Sequence, residues 1–242
     1  MAKSKRVGLT RQMMIETALR LLDEVGLDGL TVRRLATELG VQSPALYWHL
    51  RNKQELLDGM ADAIVVAAGM GPPRDGESWQ DWLARRARAY RESLLAHRDG
   101  ARIVANAARL SPATLRTFDE ELTAMVGHGF TPLLALRTIT ALTHYTNGAV
   151  LQEQATRQER IEGQESADGP ADRTEGQESA DGPQDRIAAL AEMLDGGMEA
   201  TLLVAFREGG GSFGEETFEY GLRALIDGTA AALALQRPGR PA

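Results

Sequence analysis

Apolar residues recur every three to four positions along most of this chain, the spacing of helices with one buried face. From Thr10, the residues Met14, Ile15, Ala18, Leu19, Leu22 and Val25 predict a first helix that Gly26 stops. Thr31 caps a short second helix, 32–39, closed by Gly40. A third opens at Ser43-Pro44, with Ser43 as N-cap and Pro44 at the first helical position, and ends near Asn52. A fourth covers 53 to about 68. Residues 69–76 (GMGPPRDG) are a breaker cluster and mark a hinge. Beyond it the pattern predicts helices over about 79–97, 101–109, 112–126, 132–157, 187–207 and 215–235. Period-two runs of β-branched residues are missing, so the expected fold is all-α.

One segment breaks the pattern. Residues 162–174 (EGQESADGPADRT) are followed directly by 175–187 (EGQESADGPQDRI), the same 13-residue unit with two differences. From Glu159 to Arg186 there are nine acidic residues against three arginines, and Ile161 is the one large aliphatic side chain. That little apolar surface cannot offset the entropy of ordering, and two polar copies are too few for a solenoid. Residues 158–186 are read as a disordered, duplicated loop.

Composition narrows the chemistry. The 242 residues are 43% hydrophobic and 25% charged, ordinary for one large globular domain or two small ones. There is no cysteine, which excludes disulfides, a thiol nucleophile and Cys-ligated metals, and no two of the four histidines stand at ligand spacing. No apolar run approaches the roughly 20 residues that span a bilayer, and MAKSKRVGLT lacks the apolar core of a signal peptide, so a cytoplasmic protein with no membrane partner is expected. Net charge is −7, unevenly spread: residues 1–60 hold nine basic against seven acidic side chains, the remainder 18 against 27. A slightly basic head on an acidic body suits a small DNA-contacting module carried by a larger domain, although a swing of this size also arises without meaning.

The second and third helices form a helix-turn-helix. Leu35, Ala36, Val41, Leu46 and Leu50 would lock the pair, leaving a rigid helix whose first residues project into a major groove. An αα-hairpin of no special function has the same spacing, which by itself leaves the matter open.

Thr31-Val32-Arg33-Arg34-Leu35-Ala36, Leu39-Gly40-Val41, Pro44-Ala45-Leu46-Tyr47-Trp48-His49-Leu50 and Asn52-Lys53 closely resemble the DNA-binding head of the TetR family. The resemblance continues through Gly76-Glu77-Ser78-Trp79-Gln80-Asp81, the run from Leu94 to Gly100, Gly129-Phe130 and Gly148-Ala149-Val150-Leu151, which point to the tetracycline-repressor-like branch. It implies a DNA-binding domain at 1–52, a connector helix at 53–68 and a ligand-binding and dimerisation domain at 69–242. The partners it implies are double-stranded operator DNA, a second copy of the chain and a small-molecule inducer. Arg33 matches the arginine that reads guanine, and Gln42, Ser43, Pro44, Ala45 and Trp48 match positions facing base edges. Thr31, Tyr47, His49 and Lys53 match phosphate contacts. Ser43 and Ala45 stand where the branch has glutamine and threonine, which implies a different operator. Trp48 could instead be a core aromatic, and His49 a helix-ending polar residue.

The same resemblance places a ligand pocket in the body. Members of the branch hold a magnesium ion with the ligand through a histidine and, by way of water, a glutamate; Val104 and Gln152 stand there instead. Neither suits a hard cation, so no metal and no other cofactor is expected. Gly69 and Arg86 replace a histidine and an asparagine that contact ligand. Arg86, Tyr90, His144, Asn147 and Gln152 are the polar groups expected around a mostly apolar cavity that includes Val104, each with the alternative of a satisfied helix-interface residue. Dimerisation falls on stripes at Leu133, Leu136, Ile139, Thr140 and Thr143, and at Leu222, Leu225, Ile226, Thr229 and Leu233.

Two rival readings remain. Residues 209–214 (GGGSFG) satisfy G-x-G-x-x-G, but they follow a predicted helix rather than a strand, and no other catalytic motif is found, so an enzyme is not expected. A ligand-blind architectural DNA protein would be basic throughout, which the acidic body contradicts.

Overall fold

The computed structural model describes residues 9–167, 201, 204 and 214–236, and every regular element among them is a helix. The first, α1 (Arg11–Gly29), begins where the Thr10 hydroxyl accepts the Met13 N–H. Gly26 kinks it out of helical geometry, as the sequence predicts. That residue takes φ 68°, an angle free of strain without a Cβ, and a further turn follows, its Leu27 N–H accepted by the Asp99 carboxylate at 2.8 Å. α2 (Val32–Glu38) is capped by the Thr31 hydroxyl. It closes in a Schellman turn, with Val41 N–H donated to Ala36 O at 2.9 Å, Gly40 N–H to Thr37 O at 3.1 Å, and Gly40 in the left-handed region.

α3 (Ser43–Leu46) departs from the expectation at both ends. Gln42, not Ser43, is the N-cap residue, because the Gln42 carbonyl already accepts the Ala45 N–H at 2.8 Å. Past Leu46, Tyr47 N–H bonds to Pro44 O and His49 N–H to Leu46 O, short-range bonds that tighten the chain into turns instead of extending the α-helix. α4 (Lys53–Ala67) starts from an Asn52 cap. α5 (Trp79–Leu95) follows a Ser78 cap. α6 (Gly100–Ala105) ends four residues before the expected boundary, where the Asn106 side chain donates to the Arg102 carbonyl at 2.8 Å. α7 (Pro112–Gly127) is capped by Ser111.

α8 (Pro132–Ala167) runs through 158–167, where a loop was expected. Gln158, Glu159, Arg160, Glu162, Gln164 and Glu165 are good helix formers, and propensity outweighs the lack of apolar residues there. The rest of the duplicated segment lies outside the described residues, as does the helix expected at 187–207 apart from Thr201 and Val204, both helical. α9 (Glu215–Gln236) is the last described element.

The chain forms two compact units, residues 1–151 with 222–242, and residues 152–221. One apolar cluster runs through much of the first. Met14, Ala18 and Leu22 of α1, Leu35 of α2 and Leu46 of α3 join Leu56, Met60 and Ile64 of α4, and the same cluster takes in Leu94, Ile103 and Val150. α4 is therefore a structural member of both head and body. Met60 and Ile64 are fully buried, each contributing roughly 1.5–3 kcal/mol. Polar contacts fasten the end of α1 to the turn before α6: Asp23 accepts the Arg98 N–H at 2.9 Å and meets His97 Nδ1 at 3.0 Å, and Arg102 pairs with Asp28 and Asp99.

Candidate functional site

The helix-turn-helix is built as its sequence requires. Leu35, Ala36, Leu46 and Leu50 are buried between the two helices, with Val41 half-buried in the turn. The opposite surfaces carry the residues assigned to DNA. Thr31, Arg33, Gln42, Pro44, Tyr47, Trp48, His49 and Lys53 are exposed, and Ser43 and Ala45 half-buried. Trp48 is 88% exposed, which removes its alternative as a core aromatic. Thr31 already uses its hydroxyl to cap α2 at Arg34 N–H. Neither Arg33 nor Lys53 has a carboxylate partner among the described residues, which leaves both cations available to an external anion or base. By contrast, Arg11 and Arg20 of the same head are paired, with Glu55 and with Glu24 and Glu38.

In the body, two of the assigned residues meet. The Tyr90 hydroxyl donates to Asn147 Oδ1 at 3.0 Å across α5 and α8. Burial pushes the Tyr90 phenol up to about 12, so it is a neutral donor at any physiological pH. Arg86 is also buried, with Nε facing both Glu121 oxygens at 3.0 and 2.9 Å and the guanidinium carbon 5.8 Å from the Phe118 ring centroid. Glu121 accepts the Gly71 N–H at 3.1 Å as well. Burial pushes its carboxyl up, and the Arg86 cation opposes that. Val104 is half-buried against the core, and His144 is exposed on α8. Gln152 is exposed and belongs to the second unit.

Two residues here escaped the sequence reading. One is Glu121, the buried partner of Arg86. Thr146, one turn before Val150 on α8, is fully buried with a hydroxyl that finds no partner among the described residues. A buried polar atom of this kind is where a ligand or water group fits.

The donor set does not suit a divalent metal. Val104 offers no lone pair, Gln152 only a neutral amide, and no group of three or more His, Asp or Glu side chains among the described residues could hold an ion.

A helix-turn-helix head sharing its core with a larger helical body is the build of a DNA-binding regulator. The comparisons are specific: residues 14–60 match the model of bacterial regulatory proteins of the tetR family, and residues 72–233 that of the tetracyclin repressor-like C-terminal domain. The chain belongs to the TetR family. It is 44% identical over 149 residues to the class C tetracycline repressor protein of Escherichia coli, covering 61% of this chain and 68% of that one. Among solved structures it resembles class A TetR in complex with 5a,6-anhydrotetracycline and magnesium (32% identity, TM-score 0.60, 92% of this chain and 99% of that chain). It also resembles the TetR family protein ActR of Streptomyces coelicolor in complex with (S)-DNPA (26% identity, TM-score 0.70, 93% and 98%). No helix among the described residues is long and apolar enough to cross a membrane.

Proposed function

We propose that this protein is a homodimeric, cytoplasmic repressor that binds a palindromic operator and is released by a largely apolar, polyketide- or drug-like molecule without a divalent metal. The domains are a DNA-binding head (1–52), a connector (53–68) and a ligand-binding and dimerisation body (69–242). The observation that carries the DNA half is the exposed set on α2, α3 and the start of α4, with Trp48 in water and Arg33 and Lys53 unpaired. Arg33 reads a guanine edge, Gln42, Ser43, Pro44, Ala45 and Trp48 face bases, and Thr31, Tyr47, His49 and Lys53 hold phosphates.

The ligand half draws on Tyr90, Asn147, Arg86, Val104 and the unpartnered hydroxyl of Thr146, with His144 as a further contact. One relative is seen with a tetracycline and magnesium; the residues here lack the donors such a chelate needs. A ligand shifts the operator equilibrium only by its difference in affinity for the two states, so the inducer must bind the DNA-released form more tightly. A reading with no inducer draws on one observation, that Arg86 and Tyr90 already have partners within the chain.

The test is to sequence DNA fragments retained by the purified protein and then screen compounds for their release. Release should survive excess EDTA and weaken in Tyr90→Ala, with unliganded operator affinity unchanged. Strict dependence on magnesium would return the protein to the metal-chelate sensors, and a screen in which nothing releases the DNA would favour the reading without an inducer.

A further inference from the structure

Asn52 and Glu55 close a capping box at the start of α4. The Asn52 side chain accepts the Glu55 N–H at 2.8 Å, and Glu55 Oε2 reaches back to the Arg51 N–H, also at 2.8 Å. The other Glu55 oxygen lies 3.8 Å from the Arg11 guanidinium, which donates to the Glu55 carbonyl at 3.5 Å. The main chain of Arg51 is therefore fixed, while its side chain is exposed and its guanidinium has no partner among the described residues. The carboxylates further along α4 are committed elsewhere. Asp58 Oδ1 accepts the Ala108 N–H at 2.9 Å and the Gln54 side chain at 2.8 Å. Asp62 Oδ1 accepts the Ser111 N–H at 2.9 Å and the Thr114 hydroxyl at 2.6 Å.

In the chain Arg51 stands between His49 and Lys53, both read as phosphate contacts, but it faces the other flank of the α4 start. Lys53 lines a small cleft with Val32 and Tyr47, on the side of α2 and α3. Arg51 lines the open groove that α4 forms with Arg11 and Gln12 of α1. We infer that Arg51 binds a backbone phosphate of the operator distinct from the one that Lys53 takes. A guanidinium presents its N–H donors in a fork that matches phosphate oxygens, and the capping box delivers this one from a fixed main chain. The contact carries no base information; it adds affinity and salt dependence, and it extends the footprint along the duplex backbone on the α1 flank. The inference rests on the reading of the head as an operator-binding module.

The test is a phosphate scan on an operator fragment selected by the protein itself, in which single phosphates, paired across the two half-sites, become neutral methylphosphonates. In wild type, neutralising the phosphate held by Arg51 should weaken binding roughly tenfold. In Arg51→Ala the same replacement should have no effect, while replacements that act through Lys53 keep theirs. Arg51→Ala should itself weaken binding by a similar factor at physiological salt and leave base preference unchanged. The slope of log affinity against log salt should fall by about 0.9 for each head. Arg51→Lys, which keeps the charge without the fork, should recover most of that slope. Methylphosphonate effects of wild-type size throughout the scan of Arg51→Ala overturn the inference, as does a variant with the affinity and salt slope of wild type. Loss of the effect at one and the same phosphate in Arg51→Ala and Lys53→Ala also overturns it, because the two side chains would then share a phosphate. A wild-type chain that retains no DNA overturns instead the reading on which it rests.

Discussion

Arg86 and Glu121 occupy positions where each helix would normally present an aliphatic side chain. On α5, Arg86 falls midway between Trp82 and Tyr90; on α7, Glu121 follows Thr114 and Phe118 and precedes Met125. Opposite charges in phase with two apolar stripes were a legible sign of a buried pair. The sequence reading used only the arginine, because nothing in one chain says which helices face each other. The pair has a testable signature. Arg86→Ala leaves a carboxylate buried without its cation and should cost about 3–5 kcal/mol in chemical denaturation. Arg86→Met combined with Glu121→Leu should cost less than that single change, since the desolvation penalty disappears with the charges. The exposure of the residues assigned to DNA was legible for the opposite reason: it follows from the buried stripe of the motif itself, and Arg33 and Lys53 are exposed. Arg33→Ala should cost on the order of 1–3 kcal/mol of operator binding and relax base choice at one symmetric position. Lys53→Ala should weaken all sequences alike and flatten the salt dependence of binding, measured by titration at several salt concentrations. If Arg33→Ala weakens every sequence equally, it is not a base reader.

Elements were legible where caps are chemical and illegible where ends are decided by neighbours. Thr10, Thr31, Ser78 and Ser111 each accept a main-chain N–H three residues on, the arrangement their side chains favour. Gly26 breaks the helix as predicted, but the Asp99 carboxylate, 72 residues away, holds one further turn beyond it. The link between α4 and α5 shows a local hold. Glu77 grips Arg85 with both oxygens at 2.7 and 2.8 Å and accepts the Arg74 N–H at 2.9 Å. The hydrogen-bonded Arg85 guanidinium, and after it the Arg74 N–H, lower the Glu77 carboxyl to about 2. A carboxyl lowered in the folded state stabilises above its unfolded value, near 4.3, and that contribution fades as pH falls through about 2. The difference in melting temperature between wild type and Glu77→Gln should therefore be full at pH 7, shrink below about pH 4.3 and vanish below about pH 2. A difference that grows toward acid would refute this account of the link.

At the scale of the molecule, the all-helical plan was legible across the described residues, since periodicity needs no partner, whereas the stripes assigned to a proposed dimer divide in the structure. Ile139, Leu222, Ile226 and Leu233, placed by pattern on the dimer stripes, are buried within the chain itself, while Leu133, Leu136 and Thr140 stay exposed. Both sets share the helical period, and periodicity cannot tell a face turned inward from one turned to a partner. On the proposed dimer, Leu133→Glu with Leu136→Glu should give a monomer by sedimentation and lower operator affinity sharply, because two recognition helices about 34–36 Å apart no longer act together. The apolar core that passes through α4 has a practical corollary for grafting. A chimaera that exchanged this head for another at residue 52 would leave Leu56, Met60 and Ile64 facing a foreign α1, with the burial of all three at stake. A junction after Ala68, in the turn that precedes α5, keeps a transplanted head's α4 with its own α1 and moves the mismatch to Leu94, Ile103 and Val150 of the body. Even there the new α4 would need acceptors at the positions of Asp58 and Asp62, or the receiving body would lose its hold on the part it was given.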